Sequence, residues 1–575
     1  MLVWNLYFLI KLGLHAGGVL VLHPWLNLVL FGLLVLSSPL RRKLGWWFGA
    51  LRDLALVAPA TALMLHELGL VVSWALIDQI RQLFGFSPQY LWELAQRSVA
   101  PWQLWVITAA YLLVRVLNRY LRISTWVFFG VLGVSLVQGV NAQREQVQAF
   151  LAKGRQEQPL ATGRENDSPA ELLALGRRDY EALNALRERN LGATADAQGN
   201  TPDGVLKSFF EAQQHLAAQA LHSLPSTPGF DVLILQVCSM SWADLQVARQ
   251  TQHPLLRGAD FVFDHFNSAT SYSGPAAIRL LRGRCGQGNH KSLYSPAHEG
   301  CQLFGQLQQA GYAVEMGMNH NGTFDNFRQL VKGNLGATVP DPLSHTAVPA
   351  GVQAFDGSAV GRDGDYLRTW WSRRLSSNKP AVALYYNTIT LHDGNVLPGS
   401  RQDSLSTYPL RVERLLTDIQ SLIADIRKSG RRALVLVVPE HGAGLSGEFG
   451  QLVGLRELPT PGITRVPVIG YWVSPTARAA GEPRSPVNIK QPSSYLALSE
   501  LLGRVLQADA QKQADPAWPV LLNDLPATRH VAQQGNITVM EYRDSFWLKA
   551  PGTDWRVLGP AERAALPDKP VAEAP

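Results

Sequence analysis

Residues 431–444 read RRALVLVVPEHGAG. Positions 433–438 (ALVLVV) are apolar without interruption, not at every second position. A strand with one wet face alternates; a strand covered on both faces does not, and helices cover both faces of parallel sheets. Glu440 and His441 follow at once, and Gly442 and Gly444 permit a sharp turn. Similar runs occur at 230–238 (FDVLILQVC), 312–318 (YAVEMGM), 380–389 (PAVALYYNTI) and 466–474 (VPVIGYWVS), separated by stretches of helical pattern. This rhythm predicts an α/β domain over about 225–510 with a largely parallel central sheet. In such sheets ligands bind at the carboxyl ends of the strands, so the residues after each run are the candidate chemistry.

The rest of the chain differs in character. Of 575 residues only 17% are charged, against about 25% in soluble domains. The deficit is concentrated before residue 140 or so. Four stretches there approach the ~20 apolar residues that a bilayer-spanning helix needs. They lie within 16–38, at 45–66 with Arg52 and Asp53 as an internal pair, at 101–118 and at 122–141. The stretch 67–86, with Asp78 and Arg81, reads as interfacial or as a fifth crossing. Basic clusters at 41–43 and at Arg115, Arg119 and Arg122 would stay cytoplasmic, which puts everything after about 142 outside. The expectation is a multi-pass α-helical membrane domain over 1–142, a polar connector over 143–170 and an outer α/β domain over 171–575. In a bacterium the outer domain would face the periplasm from the inner membrane. Helical patterns appear at 169–190 and 203–222, and the Pro-rich tail from 511 suggests no function. The formal charge of +7, with no basic tract interleaved with aromatics, argues against a nucleic-acid partner.

Three cysteines fall in the outer part. Cys285 and Cys301 flank a polar, glycine-rich loop and form the expected disulfide, leaving Cys238 over. Cys238 ends the strand DVLILQVC, where it is either a packed thiol or a metal ligand. Thiolate, carboxylate and imidazole are all zinc ligands, and Cys238, Glu440 and His441 would supply three, leaving a fourth position for a reacting group. Read alone, Glu-His is equally an N-cap acid beside a structural histidine.

Residues 267–275 (NSATSYSGP) lead into the helical AAIRLLRG, with Pro275 suited to a first helical position. A helix N-terminus favours a phosphoryl group. Ser273 would be the nucleophile beside it, activated by zinc; the alternative is a capping serine. After the strand 380–389 comes TLHDGN. There His392 could protonate a leaving oxygen, or simply sit in a turn. Arg456 in GLRELPTPG could hold a phosphate bidentately, and His320 is a weaker candidate. Together these parts describe metal-assisted phosphoryl or sulfuryl transfer or hydrolysis, with a lipid substrate to account for the apolar region.

The order of Cys238 after the first strand, then SYSGPAAIRLLRGRCGQ, TLHDGN, VVPEHGAG and LRELPTPGIT resembles the BcsG family, the bacterial cellulose phosphoethanolamine transferases. More distantly it is similar to the alkaline phosphatase/sulfatase superfamily, including lipid A phosphoethanolamine transferases. Those usually carry a Thr nucleophile and an Asp-His pair. Here Ser273 and Glu440-His441 stand instead, with Cys238 where a carboxylate is usual. The resemblance implies transfer of phosphoethanolamine from phosphatidylethanolamine to a glucosyl hydroxyl of nascent cellulose through a covalent serine intermediate. It implies zinc on Cys238, Glu440, His441 and Ser273, His392 as acid/base, and Tyr272 and Arg456 lining the phosphate site. Other cellulose synthase subunits would be partners. Two rival readings stay open: the same chemistry on another acceptor such as lipid A, a glycan or water, and a mainly structural subunit of the synthase.

Overall fold

The computed structural model describes residues 2–17, 20, 22–37, 45–67, 85–98, 101–134, 136–137, 201–215, 229–337, 339–447, 451, 453–475, 485–510 and 515–558. The expected connector at 143–170 and the helical pattern at 169–190 lie outside them. The chain forms two compact units, Met1–Gln82 with Ser98–Glu181, and Leu83–Arg97 with Ala182–Pro575.

The first third of the sequence contributes α1 (Leu2–Ala16), α2 (Pro24–Leu36), α3 (Trp46–Glu67), α4 (Pro88–Ser98) and α5 (Pro101–Tyr120), followed by a helical stretch at 123–134. All but the last residue of α4 belong to the second unit. None of the described helices is long and apolar enough to cross a membrane. α2 has only 13 residues, and α3 carries Pro59 and the Arg52–Asp53 pair expected from the sequence. In the first unit Trp4, Phe8, Phe31, Leu34, Val127 and Val131 form a core. Lys11, Asn27 and Glu67 are buried beside it: Lys11 donates to Asn27 and pairs with Glu67, which also accepts from Asn27.

The second unit is built on a seven-stranded sheet among the described residues. Its strands run β1 (Asp231–Val237), β2 (Phe261–Asn267), β3 (Ala313–Met318), β6 (Val382–Thr388), β7 (Ala433–Pro439), β8 (Arg465–Val473) and β9 (Val487–Ile489), with a small hairpin, β4 (Ala350–Gln353) and β5 (Ala359–Gly361), beside it. The order is β3-β6-β1-β7-β8-β2-β9. β3, β6, β1 and β7 are parallel, while β8 runs against both β7 and β2.

The uninterrupted apolar runs are thereby explained. Leu434, Leu436 and Val438 of β7 point into one core with Val232 and Ile234 of β1. Ala433, Val435 and Val437 point into another, with Leu233, Leu235 and Val237. Both cores are dry, so neither face needs polar residues. All five expected strands form. β2 had no such run because Asp264 and His265 interrupt it, and the structure puts a register irregularity between Phe263 and Phe266 at that place.

Helix α6 (Pro202–His215) packs Phe209 against Val531, Met540 and Trp547 near the C-terminus, while around this sheet lie α7 (Ser273–Leu281), α8 (Asp363–Leu375), α9 (Ser404–Lys428) and α10 (Tyr495–Ala510). The tail folds into an antiparallel meander, β10 (Val531–Gln534), β11 (Ile537–Tyr542), β12 (Ser545–Lys549) and β13 (Arg556–Val557). It braces the loop that leads into α7. Asn267 Nδ2 donates to the Val531 carbonyl at 2.9 Å, and the Gln533 N–H donates to Ala269 at 3.0 Å.

Cys285 and Cys301 are joined, with a sequence separation of 16, and Cys238 is free. Closing a loop of this length restricts the unfolded chain. Replacing both half-cystines by serine is expected to lower the unfolding free energy by about 3 kcal/mol, read from chemical denaturation of the full chain. An unchanged midpoint would show that the bridge constrains nothing.

Candidate active site

The carboxyl ends of β6, β1 and β7 lie side by side. Val237 is level with Thr388 on one flank and with Pro439 on the other. Cys238 and Glu440, the next residues along, therefore emerge as neighbours, and His441 turns toward the same point. One ligand atom from each of Cys238, Glu440 and His441 lies within 4.8 Å of the others, and all three residues are buried.

α7 brings the fourth group. It starts at Ser273, with Pro275 third and not first, and no side chain caps it among the described residues. Ser273 Oγ stands 3.4 Å from Cys238 Sγ and 3.3 Å from His441 Nε2. The His441 Nδ1–H donates to the Gly442 carbonyl at 2.8 Å, which leaves the Nε2 lone pair facing the serine and the thiol.

The loop is held so that no other residue fits. The Asp244 carboxylate accepts from the Ala443 N–H at 2.6 Å, the Leu445 N–H at 3.1 Å and Ser241 Oγ at 2.8 Å. A Cβ at position 442 would come within 2.6 Å of Ser241 Oγ and 2.7 Å of the Asp244 carboxylate. Glycine there is a requirement of close approach.

Glu440 is oriented from behind. The Gly322 N–H donates to His320 Nδ1 at 3.2 Å, so His320 Nε2 carries the proton and donates to Asn387 Oδ1 at 2.9 Å. Asn387 Nδ2 in turn donates to Glu440 Oε1 at 2.6 Å. Oε2, fully buried, has no hydrogen-bond partner among the described residues. A buried carboxylate oxygen without a donor is costly. It points at the same place as a thiol, an imidazole lone pair and a hydroxyl. Soft and borderline donors at this spacing suit a zinc ion, so the residues fit the metal expected from the sequence.

The protonation states agree. Burial, and then the Glu440 charge, pushes the Cys238 thiol up to about 12. Burial also raises the Glu440 carboxyl. The His441 imidazole is driven well below its ordinary range by burial and then by Arg456. Without a cation the pocket therefore favours neutral groups, and a cation would restore the anionic ligands.

Arg456 lies over this cluster. Its Nη1 donates to Ser239 Oγ at 2.8 Å and its Nη2 donates to His392 Nε2 at 3.2 Å. Its guanidinium sits 5.6 Å above the Tyr272 ring, whose hydroxyl donates to Glu457 at 2.6 Å. His392 Nδ1–H donates to the Asp393 carbonyl at 2.6 Å, which leaves Nε2 as the acceptor facing the site. Burial and then Arg456 push its pKa down to about 3, so the ring is neutral at pH 7.

The structure thus brings together Cys238, Ser273, Glu440 and His441, with Tyr272, Arg456 and His392 around them. His320 stands behind the cluster and does not enter it. Asn387 and Asp244 carried no motif; the one sequence signal for Asn387 was its place at the end of a buried strand. A strand-end polar residue inside an apolar run is worth that attention.

Residues 187–555 match the family model of the cellulose biosynthesis protein BcsG C-terminal domain, and residues 4–136 match that of the BcsG N-terminal domain. The chain is 34% identical over 553 residues to the cellulose biosynthesis protein BcsG of Escherichia coli strain K12, covering 96% of this chain and 95% of that protein. It is 33% identical to the protein of the same name from Salmonella typhimurium strain LT2, with the same coverage. Among solved structures it is similar to an alkaline phosphatase superfamily protein from Vibrio parahaemolyticus, at 14% identity and TM-score 0.43, over 62% of this chain and 88% of that one. It is also similar to the integral membrane protein lipooligosaccharide phosphoethanolamine transferase A from Neisseria meningitidis, at 15% identity and TM-score 0.38, over 74% and 78%.

Proposed function

Because this chain belongs to the BcsG family of cellulose biosynthesis proteins, we propose that it moves phosphoethanolamine from phosphatidylethanolamine to a glucosyl hydroxyl of nascent cellulose. The observation that carries the reading is the convergence of Cys238, Glu440, His441 and Ser273 on one buried point, with a carboxylate oxygen unsatisfied there. Zinc bound by these four would lower the pKa of the Ser273 hydroxyl and oppose phosphoryl charge.

Ser273 Oγ attacks the phosphorus of the donor, and the phosphorus–oxygen bond to diacylglycerol breaks. Phosphoethanolamine is then esterified to the serine. A glucosyl hydroxyl attacks the same phosphorus, the serine ester breaks, and Ser273 is regenerated. Over the cycle one proton passes from the glucosyl hydroxyl to the diacylglycerol oxygen. His392 Nε2 relays it in two stages, passing the Ser273 hydroxyl proton to the diacylglycerol oxygen in the first step and the glucosyl hydroxyl proton back to Ser273 Oγ in the second. Burial first, and then Arg456, hold this imidazole neutral in the free protein. A phosphodiester anion against Arg456 offsets that charge and makes the ring more basic once the donor is seated. Arg456, Tyr272 and the open amides at the start of α7 hold the phosphoryl oxygens.

We also read residues 1–142 as a multi-pass anchor in the bacterial inner membrane, with 143–170 as connector and 171–575 in the periplasm, beside other cellulose synthase subunits. The support is an inside-out arrangement in the first unit. Trp25, Leu36, Leu54, Trp105 and Trp126 are exposed, each above 65%, while Lys11 and Glu67 are buried. Water disfavours that distribution and lipid favours it.

The test is the full chain in vesicles containing phosphatidylethanolamine, with a cello-oligosaccharide added. Mass spectrometry should find phosphoethanolamine on the glucan, and a zinc chelator should stop its appearance. Donor turnover with the group delivered only to lipid A or water would overturn the acceptor. No donor turnover at all would overturn the enzyme.

A further inference from the structure

One helix of the second unit comes from a distant part of the sequence. α4 lies between α3 and α5 in the chain, yet its side chains are built into the turn that carries His392. Arg97 grips the Asp393 carboxylate with two N–H groups, Nη1 to Oδ2 at 2.8 Å and Nη2 to Oδ1 at 3.1 Å. The Tyr90 hydroxyl donates to Oδ2 at 2.7 Å, and Ser404 Oγ donates to Oδ1 at 2.9 Å. Glu93 pairs with Arg97 and accepts from the Ser404 N–H at 2.9 Å, tying α4 to the start of α9. Asp393 is 3% exposed, so this carboxylate lives entirely on those donors.

The same helix supports the imidazole from below. Phe355 stacks on the His392 ring at 4.3 Å, and Phe86 and Tyr90 pack against Phe355. A Cβ at Gly394 would come within 2.7 Å of the Tyr90 ring, and one at Gly454 within 2.9 Å of Arg97 Nη1. Helix α4 is therefore wedged against both the 392–395 turn and the loop that leads to Arg456.

We propose that α4 is a positioning element of the catalytic site, in which Arg97 and Tyr90 hold Asp393 and so fix His392 and Arg456. The proposal rests on the reading of the site given above. It makes the region after residue 171 dependent on a helix encoded in the first hundred residues. Arg97, Tyr90 and Asp393 touch no reacting atom in this scheme; they act through the backbone carbonyl of Asp393, which orients His392 Nδ1.

Two measurements on the full chain test it. In amide hydrogen exchange, Arg97→Gln should speed exchange at Gly394 and Asn395 by about tenfold or more while the amides of β6 and β7 stay as slow as in the wild type. In donor turnover, Arg97→Gln and Asp393→Asn should each lower kcat by about 10- to 100-fold, the cost of a small misplacement, with KM within about twofold. Their combination should be no slower than the worse single variant, because they break one unit. Arg97→Lys, which keeps the charge but not the fork, should recover part of kcat. Tyr90→Phe, which removes a single hydroxyl, should lower kcat while the amides of β6 and β7 stay as slow as in the wild type. Wild-type exchange at Gly394 in Arg97→Gln, uniform acceleration through β6 and β7, or multiplicative losses in the double variant would overturn the proposal. If the wild type itself fails to turn over donor, the reading of the site falls, and the exchange result still decides the clamp.

Discussion

Ser273→Ala is expected to lower kcat for phosphoethanolamine transfer by roughly 10⁴-fold or more, with the protein still folded and still binding zinc. Without Oγ no ester can form, so no group waits for the acceptor. The remaining ligands, Cys238, Glu440 and His441, still converge, and the small residue leaves the helix start unstrained. The check has two arms. Rapid quenching and mass spectrometry of the wild type with donor alone should find phosphoethanolamine on the peptide containing Ser273, and the variant should show none. Normal modified polymer from the alanine variant would remove the serine from the mechanism and turn attention to direct transfer between donor and acceptor.

Cys238→Ala is expected to strip the site of metal. The thiolate is one of three strong ligands, the neutral Ser273 hydroxyl adding little, so it supplies on the order of a third of a binding free energy of about 10–16 kcal/mol, and affinity should fall by at least roughly a few hundredfold. Elemental analysis should then drop from about one zinc per chain to near none, with the secondary structure kept. The sheet does not depend on the thiol: both cores lie below the strand ends. A pH dependence follows with a definite sign. In the metal-free protein burial and Glu440 keep Cys238 protonated, its pKa raised to about 12. Binding must release that proton. Zinc affinity should therefore rise as pH rises, by about tenfold per pH unit for each proton released, and competition with a chelator at pH 6, 7 and 8 measures it. An affinity independent of pH would mean that the thiolate is not a ligand. A Cys238 disulfide found under non-reducing conditions would say the same.

The two experiments separate the roles. Ser273→Ala that loses transfer while keeping zinc, beside Cys238→Ala that loses both, is the pattern of a nucleophile next to a metal. Loss of zinc in both would make Ser273 chiefly a ligand.

Much of this was legible from residue order alone. The run at 433–438, apolar at every position, reads as a strand covered on both faces, four other mostly apolar runs read the same way, and each ran into a residue capable of chemistry or a turn. Cys238, Glu440, His441 and His392 stand just past a buried strand and Ser273 at the start of a helix, while Arg456 had only the phosphate-binding chemistry of its side chain to mark it. The disulfide followed from an odd cysteine count and a polar loop.

What the order could not reveal depended on distance in space. β2 hides because two polar residues break its run at the register irregularity. The C-terminal meander is a set of short strands whose support for the 267–272 loop is visible only once Val531 and Gln533 are seen against Asn267 and Ala269. His320 and Asn387 became meaningful as a relay of hydrogen bonds to Glu440, and α4 as a clamp on Asp393. Local sequence sets which segments are dry and which side chains are reactive, because burial periodicity and residue chemistry are properties of neighbours along the chain. Which reactive groups meet, and which polar atoms hold them still, is set by crossovers that join residues hundreds of positions apart, and only the packed sheet decides that.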